Sequence, residues 1–452
     1  MKILMIAYYF PPDISSGSFR PLVFARHLQE MDEEVYVLTA REQDYLYEQP
    51  KDYKLLESLG DRVEIFRART FRPREAVINL RNWLFRKRNN QKSSDHPINK
   101  QEVDRGCSKT SLVQQFKDFI TYCLSTPDQD IGWLPSAVRA GRKIINNRKI
   151  DVIYATGSPW TSFLVGAILR KLTKRPLIMD FRDPWVANPY FMVRSKSIRF
   201  FESYMERKVI TFTDHIITNT SELKQDFLDR YPFLTSKKLT TIPNGFEEYA
   251  ESSESNNSNT LTFTHAGSLY FSRNPRFLLQ AIVNVIEQNE IPKKEIKFIF
   301  LGGIDISVEN PALERLLQHS VLQEVVKILP RLPYREAVQY QSRSDILLLI
   351  QPDFPLQVPR KLYEYIAFRK PILGITNLNG ATAKLIRNNE LGIVVENQIA
   401  AIELALKMFY EQWKKDSLRL LPTGKCDEFM NRNLTLKLQQ VLRECFERRG
   451  LK

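Results

Sequence analysis

Two Rossmann-like, doubly wound α/β domains facing each other across a cleft are the fold this sequence predicts. Three observations carry that prediction. Short β-rich runs alternate with helix-period segments, which implies parallel sheets covered on both faces. The alternation stops after Ile242-Pro243-Asn244-Gly245, crosses a Ser/Asn/Glu-rich segment (247–259) and then begins again. The length of 452 residues, with 43% hydrophobic content, is enough for two separate cores.

The first domain, 1–245, has expected strands at 2–7, 34–39, 63–66, 151–155, 176–180 and 215–218, and helices at 19–31 and 162–172. The opening apolar run, Ile3 to Phe10, passes straight into Pro11, Pro12 and Asp13 with no small-residue cleavage site, so it reads as a buried strand rather than a leader. Residues 89–109 are polar and aperiodic and read as a loop or insertion. The second domain, 246–425, has expected strands at 261–264, 297–301, 325–329, 345–350 and 371–375. Its expected helices are 275–287, 312–318, 334–342 and 359–368. A C-terminal helix within 426–452 has the option of crossing back to the first domain. In such sheets ligands sit at the carboxyl ends of the strands.

Charge narrows the partners. Lys+Arg 66 against Asp+Glu 52 gives +14, which favours an anionic partner. Residues 66–92 hold nine cations and one anion, Glu75, among Phe71, Trp83, Leu84 and Phe85. Arginine stems lie along apolar surface while their heads reach phosphate, so this stretch is expected to touch an anionic membrane surface. The plainer alternative is a solvated basic helix packed on its domain. Nucleic acid is not expected, because no reader motif accompanies the charge. Four scattered cysteines with no C-x-x-C pair argue against a disulfide scaffold and a zinc site, and point to a reducing, cytoplasmic compartment. No apolar run approaches bilayer-spanning length.

The phosphate-loop, dinucleotide, zinc-protease and esterase fingerprints are all missing. Asp128-Gln129-Asp130 is a D-x-D string, but Pro127 and Gly132 flank it, so it reads as a turn rather than a metal site. Ser15-Ser16-Gly17-Ser18 opens a helix after the first strand, and small residues there let backbone N–H groups approach an anion. In the second domain, Phe263-Thr264-His265-Ala266-Gly267-Ser268 runs from a strand into a glycine turn, and Arg273-Asn274-Pro275-Arg276 starts the next helix. Arginine offers fixed paired donors that match phosphate, so this is a candidate diphosphate clamp; an exposed basic cap is the alternative. The run from Val358 to Leu373 is an amphipathic helix leading into a buried strand. It carries Lys361 and Glu364, and a carboxylate there can accept two ribose hydroxyls. The alternative for Glu364 is an ion pair with Lys361 or Arg360.

Taken in order, YYFPPDISSG, DQDIGWLPSA, DVIYATGSPW, DFRDPW, TIPNGF, HAGSLYFSRNP, LPYREAVQYQSRSDILLLI and VPRKLYEYIAFRKPIL resemble glycosyltransferase family 4 over nearly the whole chain. Those enzymes are retaining, nucleotide-sugar-dependent and of GT-B architecture, and the chain is most similar to the bacterial surface-polysaccharide type. The resemblance implies a nucleotide-diphosphate-sugar donor on the C-terminal domain and a saccharide acceptor, lipid-linked, on the N-terminal one. It implies no metal or other cofactor; the cysteine usage and the basic stretch 66–92 point to a cytoplasmic enzyme that is peripheral on the inner face of the cytoplasmic membrane. Gly17, Gly267, Ser268, Arg273 and Lys361 are implied donor contacts. Glu364 is the implied ribose ligand, as the second Glu of the family's E-x7-E motif. Glu364, Arg273 and Asp183 are the implied catalytic set, and Asp180 and Arg182 lie beside Asp183 at a strand end where acceptor or donor is expected to be met. The first Glu of the motif is replaced by Leu356, where backbone amides near Gln357 are an alternative donor contact. Two rival readings stand beside this one: a nucleotide-sugar epimerase or hydrolase on the same fold, and a non-catalytic, membrane-associated donor-binding protein.

Overall fold

The computed structural model describes residues 1–46, 51–72, 126–189, 196–250, 259–269, 273–304 and 311–450. The loop expected at 89–109, all of the basic stretch beyond Arg72 and most of the linker 247–259 lie outside the described residues.

Among the described residues there are two sheets, and parallel pairing runs through both. The first contains β1 (Lys2–Ala7), β2 (Glu34–Ala40), β3 (Val63–Ala68), β4 (Val152–Gly157), β5 (Leu177–Phe181), β6 (His215–Thr218) and β7 (Leu239–Thr241). Its order is β3-β2-β1-β4-β5-β6-β7. The second contains β8 (Leu261–Ala266), β9 (Ile296–Leu301), β10 (Val326–Leu329), β11 (Ile346–Gln351), β12 (Ile372–Thr376) and β13 (Gly392–Val395), in the order β10-β9-β8-β11-β12-β13. In both sheets the order reverses beside the first strand, the switch point at which α/β folds bind ligands.

Helices alternate with the strands. Apart from a single turn at Lys54–Glu57, those described are α1 (Ser16–Glu30), α2 (Leu134–Arg148), α3 (Thr161–Thr173), α4 (Lys196–Phe212) and α5 (Ser221–Arg230), then α6 (Arg276–Glu287), α7 (Pro311–Leu317), α8 (Ser320–Val325) and α9 (Tyr334–Ser342). The last are α10 (Arg360–Phe368), α11 (Ala381–Asn388), α12 (Ile399–Lys414) and α13 (Asn431–Gly450). The chain divides into two compact units: Met1–Asp180 with Arg194–His215 and Arg443–Lys452, and Phe181–Val193 with Ile216–Leu442.

Strand composition follows from burial on both faces. In β11, Ile346, Leu348 and Ile350 enter one apolar cluster with Phe263 and Phe298, while Leu347 and Leu349 enter another with Leu362 and Tyr365. A strand buried this way needs a continuous apolar run, which is what ILLLI supplies. All the expected strands are present within one or two residues of their expected ends. The sequence reading missed β7 and β13, and it missed α2, α4, α5, α8, α11 and α12.

In the first unit a charged knot ties α1 to β5. Arg20 donates from Nε and Nη2 to the two carboxylate oxygens of Asp180, at 2.8 and 3.0 Å. Tyr154 and Thr156 donate to the same carboxylate, at 2.5 and 3.1 Å. Asp180 is fully buried. Asp128 caps α3, accepting from the Thr161 amide at 2.8 Å and the Thr161 hydroxyl at 2.7 Å. Asp130 pairs with Arg72 at 3.0 Å. The D-x-D string is thus a structural turn. Among the described residues no group of three or more His, Cys, Asp or Glu is arranged to hold a metal, and no helix is long and apolar enough to cross a membrane.

Candidate active site

The second unit brings most of the implied donor residues together at the end of β8. The strand leaves its sheet at Gly267, whose φ of +115° is a conformation that side-chain-bearing residues rarely adopt. The Gly267 amide donates to the Leu301 carbonyl at 2.6 Å, and the Leu269 amide donates to Gly303 at 3.1 Å. Gly302, on the loop after β9, closes on this turn. A Cβ there would stand 2.8 Å from the Gly267 carbonyl carbon and the Ser268 nitrogen. The two strand-end loops are therefore packed backbone to backbone, with Ser268 left exposed.

Onto this turn comes the first turn of α10. Pro359 precedes it in an extended conformation, which suits a helix start. Lys361 reaches back until its Nζ lies where a Gly267 side chain would begin; a Cβ on Gly267 would be 2.5 Å from that nitrogen. The same Nζ is 3.2 Å from His265 Nε2. His265 Nδ1 is 2.9 Å from the Leu348 carbonyl oxygen, so that nitrogen holds the ring hydrogen and donates it. Nε2 is left as an acceptor for Lys361. Burial, then the charges of Lys361 and Arg273, hold the imidazole well below its ordinary pKa, so it stays neutral.

Lys361 is perturbed in the same direction. Burial, then the Arg273 charge, pushes its ammonium from 10.5 down to about 7, with Glu364 acting in the opposite sense. Arg273 itself rests its guanidinium 6.0 Å from the centre of the Phe354 ring. Lys361, with Arg273 near enough to act on it, and a neutral histidine thus stand at a turn whose leading residue, Gly267, has no side chain. That is an anion-shaped arrangement, since an arriving negative charge would relieve the repulsion between Lys361 and Arg273.

Glu364 stands one turn further along α10 and is paired with Arg360 Nη2 at 2.6 Å, both side chains being about 30% exposed. Of the two cations the sequence offered it, Arg360 takes the ion pair and Lys361 turns toward His265. Asp183 is engaged with the segment before α10: Gln357 Nε2 donates to its Oδ1 at 2.8 Å. That segment is held throughout. The Leu356 carbonyl accepts from the Thr220 hydroxyl at 2.7 Å, the Gln357 carbonyl accepts from Thr382 at 3.0 Å, and the Pro355 carbonyl accepts from the Ala381 amide at 2.8 Å. The Gln357 amide, a candidate substitute for the missing Glu, already donates to Phe354 at 3.3 Å.

In the first unit, Gly17 is the second residue of α1, in the turn that the sequence expected to open toward an anion. The Ser18 hydroxyl braces this turn on the carbonyls of Asp13 and Ser15, at 2.6 and 2.8 Å. Asp180, expected near Asp183 to meet acceptor or donor, is instead occupied by Arg20, because a buried carboxylate must be paired. Of the basic stretch, Arg67 donates to Pro11 and Arg72 to Asp130, so both serve the fold, while Arg69 is exposed. His265 was missed by sequence reasoning. The signal was there in retrospect, as a lone polar ring inside an apolar central strand.

Residues 115–248 match the family model described as Glycosyltransferase Family 4. No curated protein matches the chain by sequence. Among solved structures it is similar to sucrose-phosphate synthase from Thermosynechococcus elongatus, at 15% identity and TM-score 0.63 with 99% of each chain covered. It is similar to HepE from Anabaena in complex with UDP, at 14% identity and TM-score 0.63, covering 98% of this chain and 100% of that one. It is also similar to WaaG, a glycosyltransferase involved in lipopolysaccharide biosynthesis, at 12% identity and TM-score 0.55, with 97% and 99% covered. The chain therefore has the two-sheet GT-B fold of glycosyltransferases and carries, over residues 115–248, the sequence signature of glycosyltransferase family 4.

Proposed function

We propose that this protein transfers a glycosyl group from a nucleotide-diphosphate sugar to a hydroxyl of a saccharide, lipid-linked and destined for a surface polysaccharide, with retention of configuration and without a metal. The observation that carries the reading is Lys361 lying over the bare Gly267 turn with Arg273 close enough to depress its pKa. In the reaction the bond between the sugar's anomeric carbon and the diphosphate oxygen breaks, the acceptor hydroxyl oxygen bonds to that carbon, and the hydroxyl proton passes to the departing diphosphate. The diphosphate leaves with developing negative charge. Fixed cations and backbone amides stabilise that charge without reorganising, and removing one such donor typically costs about 2.7–4 kcal/mol. Lys361, Arg273 and the Gly267–Ser268 turn take that role, and Glu364 exchanges Arg360 for the ribose hydroxyls. Asp183, through Gln357, holds the 354–359 segment in place. Gly17 lets an anion approach the first amides of α1. The UDP complex of HepE supports the donor class, and the involvement of WaaG in lipopolysaccharide biosynthesis supports the polysaccharide setting. Residues 66–92 would place the enzyme on the anionic inner face of the membrane.

The test is titration of the protein with UDP, GDP and ADP by calorimetry, alongside Glu364→Ala and Arg273→Ala. Binding of one nucleotide that weakens in both variants is expected. Equal affinity in both variants, or no nucleotide bound by the native chain, refutes the assignment. Inversion in the product, read by NMR, refutes retention. Leu356 favours one alternative, a donor-binding protein without turnover; sugar transfer gained only in Leu356→Glu would establish it.

A further inference from the structure

Helix α4 is built inside out. Its inward stripe carries Glu202 and Glu206, both fully buried, together with Val209 and Ile210. Its outward face carries Phe200 at 77%, Phe201 at 45%, Tyr204 at 51% and Phe212 at 39% exposure. These aromatics recur at helical spacing and form one stripe. The cations are on the same side: Lys196, Arg207 and Lys208 are exposed, and Lys208 Nζ lies 5.3 Å from the centre of the Tyr204 ring. Both carboxylates of the helix face inward, so its exposed surface is purely aromatic, hydroxylic and cationic. Helix α3 packs beside α4 and continues the pattern with exposed Ile168, Lys171 and Leu172. No Asp or Glu occurs between Thr161 and Arg175.

An ordinary surface helix does the reverse, hiding its rings and showing its acids. Aromatic rings between water and hydrocarbon, with lysine and arginine heads reaching upward, are the chemistry of the lipid headgroup layer. We infer that the α3–α4 face is a monotopic membrane-docking surface for anionic lipid, with Phe200, Phe201 and Tyr204 inserted among the headgroups and Arg207 and Lys208 on the phosphates. Charge selects this occupant. A second copy of the chain would bring the same cations against themselves, and a neutral apolar partner would bury the ammonium groups of Lys196 and Lys208 without supplying a counter-charge. The inference does not rest on the donor chemistry, and it names a surface separate from residues 66–92.

The test uses the full chain with phosphatidylcholine vesicles, with and without one quarter phosphatidylglycerol. The native protein should sediment with the anionic vesicles and be released by salt. Phe200→Ser/Phe201→Ser/Tyr204→Ser together should weaken partition at least about tenfold. Arg207→Glu/Lys208→Glu should weaken it by at least about twentyfold, since each cation near an anionic surface contributes roughly fivefold. Phe200→Trp, read as difference emission against the native chain, should shift blue and be quenched by brominated lipid even if the triple variant fails to fold. Three results overturn the proposal: no sedimentation with anionic vesicles, sedimentation in which the difference emission of Phe200→Trp does not move, or a self-associated chain in which the aromatic face is covered by a second copy.

Discussion

Lys361→Met tests the chemistry of the candidate site most directly. In the free protein the Lys361 ammonium is pushed from 10.5 to about 7 by burial and by Arg273. A diphosphate placed over Gly267 supplies the missing counter-charge and returns the amine toward its ordinary value. That difference is worth at most about 5 kcal/mol, at 1.36 kcal/mol per pH unit. Binding is then coupled to proton uptake. Affinity for UDP should fall about fiftyfold from pH 7 to pH 9, as the free amine loses its proton and the bound one keeps it. At pH 8 the free amine is roughly one-tenth protonated, so calorimetry in buffers of different ionisation enthalpy should register uptake of about 0.9 proton. The groups facing Lys361 are His265, which is neutral, Arg273, a guanidinium, and Glu364 with its partner Arg360, so no neighbour reproduces this slope. Lys361→Met should bind weakly and with little pH dependence. Stability gives a second readout. The folded pKa lies below the unfolded one, so between about pH 7 and 10.5 the unfolded chain holds more protons and native stability rises with pH. In Lys361→Met that rise should disappear. A flat affinity profile in the native chain, or an equal slope in the variant, would refute the placement of the diphosphate at this turn.

Three further outcomes follow from the geometry. Arg20→Ala leaves the Asp180 carboxylate buried without its ion-pair partner and should destabilise the native state by about 3–5 kcal/mol in denaturant titration. Gly267→Ala forces a Cβ into positive-φ backbone and against Lys361; a loss of about 1–3 kcal/mol is expected by thermal unfolding, with weaker UDP binding than the native chain. Asp128 is pushed up to about 6 by burial and by Asp130, so from pH 3.8 to 6 the folded state holds the extra proton and stability falls as pH rises. Asp128→Asn should remove that decline, which amounts to at most about 3 kcal/mol, while its amide oxygen still accepts from Thr161.

The parts of the fold that were legible in the sequence are those whose signal is local. Runs such as ILLLI and KILMIA announce strands buried on both faces, and the Pro359 start and amphipathic pattern announce α10. The edge strands β7, with three residues, and β13, with four, are too short to stand out from their loops. Helix α4 was missed because inward glutamates and outward rings invert the pattern that marks a surface helix. The site was half legible. Gly267, Arg273, Lys361 and Glu364 fall within recognisable motifs, but what the side chains do depends on distant partners. His265 meets Lys361 across 96 positions, and Arg20 meets Asp180 across 160, separations at which no periodicity in the sequence registers a contact.

The Arg20–Asp180 knot also governs how α1 can behave. Two parallel bonds from a planar guanidinium permit neither rotation nor sliding of the helix that carries it. The opening turn of α1 is thereby anchored like a fixed bracket, with Ser18 bolting the preceding residues to it from the other side. Were an anion to bind at Gly17, as proposed, it would meet a turn already held in place, and little motional freedom would remain to be surrendered on contact. Inserting or deleting one residue between Ser18 and Arg20 would turn the guanidinium away from β5, so this stretch should tolerate changes of side chain far better than changes of length.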